Sequence, residues 1–311
     1  MDAQELLCRY AAGERDFSGV NLRGIPLRQE CLVDINLSNA NLSSLSSSIL
    51  INANLSGADL SGIELVGTNF INANLRGANL RNAVLAGADL TGADLTGADL
   101  TGAKLSYYDR WSNARLIGTN LTDADLTSIQ GLEYAVFAHT TMPDGSIVSD
   151  PDRVIDAQEL LRRYEAGERD FHTMILHRAD LSGVNLQSVD LCGAHFSYVN
   201  LRGATLRANL TARFIYCDMR DIQLIGSCPD YRDQPSFTYC DLRWAKMGWF
   251  DFSGAQFIGN NFEGAQGVSP GGGEGDAFFC NTTWVDGEFI AGPISGMDHW
   301  GVSRDINWDD F

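Results

Sequence analysis

Every fifth residue from Leu55 to Leu105 is Leu or Phe, in the order Leu55, Leu60, Leu65, Phe70, Leu75, Leu80, Leu85, Leu90, Leu95, Leu100 and Leu105. Two residues before each stands a small or apolar side chain, Ala in nine of the eleven cases. Gly or Asn stands two residues after the first ten, as at Gly57, Gly62, Asn72 and Gly77. A period of five matches neither the 3.6 of an amphipathic helix nor the 2 of an alternating strand. It marks a repeat architecture, and the repeat decides the fold before any propensity does.

If each pentad is one short extended side of a coil, the central Leu and the Ala two before it share a face, because side chains two apart point the same way. The Gly or Asn then falls at a corner, where positive φ is required. Backbone groups pair with the coils above and below at about 4.8 Å. The other three positions carry Asp, Asn, Ser, Thr and Arg, and are expected to face water. The product is a thin solenoid with an apolar axis and polar walls, an all-β fold.

The run Ala88-Asp89-Leu90-Thr91-Gly92, repeated in series through AGADLTGADLTGADLTGAKL (86–105), resembles the A(D/N)LXX motif of the pentapeptide-repeat family. The resemblance implies a right-handed quadrilateral β-helix with four pentads to a coil, and it covers most of the chain. The start ELLxRYxAGERDF is also similar to members from oxygenic photosynthetic bacteria.

The chain is duplicated. DAQELLCRYAAGERDF at 2–17 and DAQELLRRYEAGERDF at 156–171 agree at 14 of 16 positions, at an offset of 154. Leu6, Leu7 and Tyr10, like Leu160, Leu161 and Tyr164, fall at helical spacing, and Gly13 and Gly167 stop the helix. Each copy reads as a cap over the first coil of a solenoid. The far ends repeat as well: Thr140-Thr141-Met142-Pro143-Asp144-Gly145 matches Thr282-Thr283-Trp284-Val285-Asp286-Gly287, and such a closing turn resembles the ends of known family members. The expected organisation is two tandem β-helices, each with a short N-terminal cap helix. The first covers 1–149, with its cap helix at 2–13, ladder at 17–126 and closing turn at 135–146. A linker follows at 150–155. The second covers 156–287, with its cap helix at 156–167, ladder at 171–262, Gly-rich loop at 267–276 and closing turn at 277–287. A tail runs over 288–311.

The ladders have breaks. In the first, the phase slips by two between Leu42 and Leu45. One residue is then inserted around Tyr107-Tyr108-Asp109-Arg110-Trp111 before Leu116 resumes the beat. In the second, register blurs between Leu210 and Leu224, Gly226 to Pro235 reads as a loop, and Phe237, Leu242, Met247, Phe252, Phe257 and Phe262 complete the ladder.

The chain has 311 residues and a net charge of −18, with 9 basic and 17 acidic groups in residues 1–150 and 13 and 23 in the remainder. Both halves repel nucleic acid and anionic lipid, so neither is expected as a direct partner. No run reaches the length of a membrane-spanning helix, and the start does not read as a secretory signal. Seven scattered cysteines without CxxC spacing argue for reduced thiols and a cytoplasmic setting.

No catalytic motif is present. His139, His172, His177, His195 and His299 do not read as a convergent metal site, and His195, one residue before a core position, is expected on an outer wall. Asp59, Asp89, Asp94, Asp99 and Asp125 recur at one motif position, which makes them a requirement of the repeat rather than an acid–base pair. A filled axis leaves no internal cleft. The reading is a non-enzyme without cofactor or metal.

What it supports is a protein-interaction scaffold, with specificity at the breaks because regular pentads are all alike. The candidate partner-binding residues are Tyr107, Tyr108, Arg110 and Trp111 in the insertion, Tyr231 and Arg232 in the second loop, and Trp300 and Trp308 in the tail, which are residue types favoured at hot spots. The alternative is DNA mimicry, since the chain also resembles family members that bind DNA gyrase. A duplex carries about 18 charges in ~30 Å. The first ladder has roughly that length but a net charge of only −8, with Asp59 and Asp99 expected on one wall, Asp89 on a second and Asp94 on a third.

Overall fold

The computed structural model describes residues 1–105, 114–132, 135–151, 153–227, 235–250, 254–268, 277–290 and 294–295. The chain divides into two compact units, Met1–Asp150 and Pro151–Phe311.

Unit 1 opens with α1 (Ala3–Ala11). Asp2 caps it by accepting the Glu5 N–H at 2.8 Å, and Gly13 ends it at φ 96°. Leu6 is its fully buried residue and closes the bottom of the axis. The Arg15 guanidinium lies 4.0 Å from the centre of the Tyr10 ring and donates to the Tyr10 carbonyl at 2.8 Å, which fixes the exit from helix to ladder.

The ladder above it has four walls, each a column of single parallel bridges. The first runs Asp16, Asn36, Asn54, Asn74, Asp94, Asn120. The second runs Asn21, Asn41, Asp59, Asn79, Asp99, Asp125. The third runs Pro26, Ser44, Glu64, Val84, Lys104, Gln130, and the fourth Cys31, Ile49, Asn69, Asp89, Arg115. Regular partners, such as Asn54↔Asn74 and Asp59↔Asn79, stand four pentads apart, so four pentads make a coil. Asp59 and Asp99 share a wall, with Asp89 on another and Asp94 on a third. The slip before Leu45 is a coil shortened by two positions, seen in Pro26↔Ser44 and Cys31↔Ile49. The eleven core positions from Leu55 to Leu105 are all buried, interleaved with Ala53, Ala58 and Ala73 through Ala103. The outer positions are not all wet. Val33, Ile51, Ile71, Thr91 and Ile117, each one residue past a core position, are buried as a column on the fourth wall, where each side chain packs between its neighbours in the adjacent coils.

The insertion after Leu105 is larger than one residue. Asp89 pairs with Arg115 and Lys104 with Gln130, in both cases six positions further along the chain than a regular coil would place the partner. Six extra positions move a beat of five by one, which is why the phase alone shows a single insertion. The Ala114 N–H donates to the Leu105 carbonyl at 3.1 Å, the corner bond that Ala103 makes to Leu100 in the coil before. The segment 106–113 therefore stands where two residues make the ordinary corner.

The unit closes with β1 (Arg115–Ile117) under β2 (Val136–Ala138), and with an antiparallel hairpin of β3 (Thr140–Thr141) and β4 (Ile147–Val148). An open ladder edge would invite further pairing, and the hairpin turns the chain away from it.

Unit 2 repeats the plan from α2 (Ala157–Glu165), capped by Asp156, with Leu160 buried. Its walls are broader. One is a parallel sheet of β5 (Ile175–His177), β7 (His195–Ser197), β9 (Arg213–Ile215), β11 (Ser236–Thr238), β13 (Gln256–Ile258) and β14 (Phe278–Cys280), edged by antiparallel β17 (Ile294–Ser295). The next is a column of Asp180, Asn200, Asp218, Asp241 and Asn261. After that corner comes a four-stranded parallel sheet of β6 (Asn185–Asp190), β8 (Thr205–Asn209), β10 (Gln223–Ser227) and β12 (Lys246–Phe250). A second hairpin, β15 (Thr282–Thr283) with β16 (Phe289–Ile290), closes the end.

The blurred register between Leu210 and Leu224 is another coil shortened by two positions, since His195 pairs with Arg213 and Thr205 with Gln223. Inside, Phe196, Phe214, Phe237, Phe257 and Phe279 stack coil upon coil at 4.8, 5.0, 4.9 and 5.1 Å between centroids. The parallel-strand repeat holds the rings close to the separation at which offset stacking is favourable.

Candidate interaction surfaces

The recurring Asp or Asn before each core residue has a local task. Its Oδ1 accepts the backbone N–H two residues on, as Asn74 does from Arg76, Asp94 from Thr96 and Asp99 from Thr101. This is an Asx turn, the reason these two residue types start corners. Where Asn is present, its Nδ2 also donates to the coil below: Asn36 to Asp16 at 2.9 Å, Asn54 to Asn36 at 3.1 Å, Asn79 to Asp59 at 3.0 Å. The carboxylates are further tied to arginines. Arg23 pairs with Asp59 at 2.7 Å, Arg28 with Glu64 at 3.1 Å, Arg76 with Asp94 at 3.0 Å and Arg81 with Asp99 at 3.1 Å. Unit 1 thus presents mixed, internally paired walls and no acidic stripe among its described residues.

All eight candidate partner-binding residues, Tyr107, Tyr108, Arg110, Trp111, Tyr231, Arg232, Trp300 and Trp308, lie outside the described residues, as does Phe252 of the ladder. Their points of departure are described. The first segment leaves the third wall at Leu105 and rejoins the fourth at Ala114. The second lies between β10, ending at Ser227, and Pro235 before β11.

Unit 2 carries aromatic and cationic columns that the pentad count did not reveal. Tyr198, Tyr216 and Tyr239 stack at a corner at 5.4 and 5.0 Å. His177 sits edge-on to Tyr198 at 5.7 Å and the Arg178 guanidinium lies 5.9 Å from that ring. The intervals between these tyrosines are not multiples of five, so only the irregular coil lengths bring them into line. At the next corner Arg220 grips Asp218 through two donors and reaches Asp241 at 3.6 Å, while Arg243 grips Asp241 at 2.8 and 2.6 Å. The hydrogen bonds to Asp218 hold the Arg220 guanidinium above its ordinary pKa, and those to Asp241 do the same for Arg243. Beside it Trp244 is 50% exposed.

The histidines and cysteines need two corrections. His195 is 3% exposed rather than solvated, placed in register between Ile175 and Arg213. A position facing out of the axis is still buried when broad strands flank it on both sides. His177, with its ring Nδ1 2.8 Å from the Ser197 hydroxyl, is half-buried, and His172 is exposed against Asp170. Cys31 and Cys280 are each disulfide-bonded, which corrects the expectation of seven thiols, because spacing reports only pairs that are local in sequence. Cys8, Cys192, Cys217 and Cys240 are thiols. Burial pushes Cys192 up to about 11 and Cys240 well above its ordinary value, so neither supplies a thiolate at neutral pH.

Among the described residues no three His, Cys, Asp or Glu side chains are grouped to hold a metal ion, and no helix is long and apolar enough to cross a membrane. An open groove of about 670 Å³ crosses the outer face of unit 2, between Arg169 and Asp190 on one side and Arg207 and Gly226 on the other.

Comparison with known proteins agrees with the coil geometry. The model for pentapeptide repeats matches in eight copies, over residues 31–73, 48–85, 68–106, 175–211 and 236–266. The chain is a pentapeptide-repeat protein. Its fold is the right-handed β-helix of that family. One similar solved structure is HetL, a pentapeptide-repeat protein involved in heterocyst differentiation regulation in the cyanobacterium Nostoc sp. strain PCC 7120. It is 24% identical over 93% of this chain and 100% of its own, with a TM-score of 0.34. A pentapeptide-repeat protein of the Arabidopsis thaliana thylakoid lumen is 28% identical over 35% of this chain and 67% of its own, with a TM-score of 0.21. QnrB1, a plasmid-mediated fluoroquinolone resistance protein, is 18% identical over 78% of this chain and 93% of its own, with a TM-score of 0.23. No curated protein matches the chain.

Proposed function

We propose that this pentapeptide-repeat protein is a non-enzymatic scaffold that binds a protein partner through segments inserted in its sequence at fixed corners of its ladders. The observation that carries this reading is the corner at Leu105 and Ala114. The ladder closes beneath the insertion with its normal backbone bond at 3.1 Å, so a segment including Tyr107, Tyr108, Arg110 and Trp111 is added without breaking a coil. An addition that the fold does not need, and that carries the residue types enriched at interface hot spots, is best explained by a partner.

The DNA-mimic alternative, binding of a type II topoisomerase, draws no support from the walls of unit 1, because their acids are divided among all four and four of them, Asp59, Glu64, Asp94 and Asp99, are paired with Arg23, Arg28, Arg76 and Arg81.

The test is affinity capture from native extract with wild type and with Tyr108→Ala/Trp111→Ala. Loss of one specific partner in the variant supports the reading. Retention of every partner by the variant overturns it for this corner. Recovery of gyrase subunits, unaffected by the substitutions but weakened by salt, supports the mimic instead.

A further inference from the structure

We draw no further inference here: the strongest candidate, the open groove across the outer face of unit 2, is lined by two guanidinium groups, of Arg169 and Arg207, and by two carboxylates, of Asp170 and Asp190, so its charge selects no class of ligand and nothing in the structure shows what covers it.

Discussion

Asn74 donates from Nδ2 to Oδ1 of Asn54 in the coil below at 3.1 Å, while its own Oδ1 accepts the N–H of Arg76 at 3.2 Å. One side chain thus starts a corner and bonds two coils, which explains why Asn and Asp alternate at this position without being equivalent. Asn74→Ala loses both bonds and is expected to cost about 1–3 kcal/mol. Asn74→Asp keeps the corner bond but sets an acceptor against an acceptor, so its cost should be intermediate. Asp94→Asn keeps the bond from Thr96 and loses only an exposed pair with Arg76, for which less than about 1 kcal/mol is expected. Urea denaturation of the three variants checks the order.

The axial assignment makes a larger demand. Leu90 is fully buried between Ala88 and Ala93, and Leu90→Ala should cost about 2–5 kcal/mol through lost burial and the cavity left behind. Leu90→Asp places an unpaired charge in the axis and should unfold unit 1 altogether. Phe237→Ala removes a ring stacked on both Phe214 and Phe257 and should cost about 3–5 kcal/mol. A calorimetric scan reads all three, and an unchanged transition for Leu90→Asp would sink the assignment.

How far the sequence could carry the fold follows from what a period can count. Leu55 to Leu105 announce the axis, and the duplicated DAQELL segments announce two caps, because those patterns are local. The beat counts residues only modulo five, so the six positions added before Ala114 register as one. It says nothing of lateral neighbours, so the burial of His195 and of the Val33–Ile117 column was hidden. The stack of Tyr198, Tyr216 and Tyr239 was equally hidden, since its uneven spacing acquires meaning only once coil lengths are known. Trp244 could have been noticed as the one aromatic among Gly and Asp at its corner, but only after the coils were aligned.

The corner aspartates predict an acid limb in stability. The Ser61 hydroxyl, and with it Arg23, holds Asp59 below the ordinary carboxylate range, and Thr101 and Arg81 do the same for Asp99. A pKa lowered on folding contributes stability that is complete above the unfolded value near 4 and is lost as pH falls through the lower folded value. Urea midpoints should therefore be flat down to about pH 4–5 and fall below it, and Asp59→Asn/Asp99→Asn should flatten that fall. An identical acid limb in the double variant would remove these residues as its cause.

Tyr10 predicts the opposite limb. Its hydroxyl donates to the Val33 carbonyl at 2.9 Å, and burial pushes its pKa from 10.0 to about 12. The neutral phenol is favoured on folding, so this stability is complete below pH 10 and is lost between pH 10 and 12. The span corresponds to roughly 2–3 kcal/mol. Tyr10→Phe should lower stability at neutral pH by about 1 kcal/mol and make unit 1 less sensitive to alkali than wild type.

Two corner glycines separate backbone strain from packing. Gly62 and Gly259 have nearly the same φ, 67° and 69°, so an alanine at either meets the same left-handed penalty of about 1 kcal/mol. Around Gly62 there is nothing within 4 Å of the added Cβ, whereas at Gly259 it would come within 2.8 Å of the Tyr239 ring. Gly62→Ala should therefore cost about 1 kcal/mol, and Gly259→Ala more by the energy of displacing a ring stacked on Tyr216, roughly 1–3 kcal/mol further. The double change Gly259→Ala/Tyr239→Ala removes the obstacle. Its loss should be smaller than the sum of the two single losses, a non-additivity that denaturation of the four proteins would read directly. Additive losses would mean that Tyr239 does not rest on Gly259.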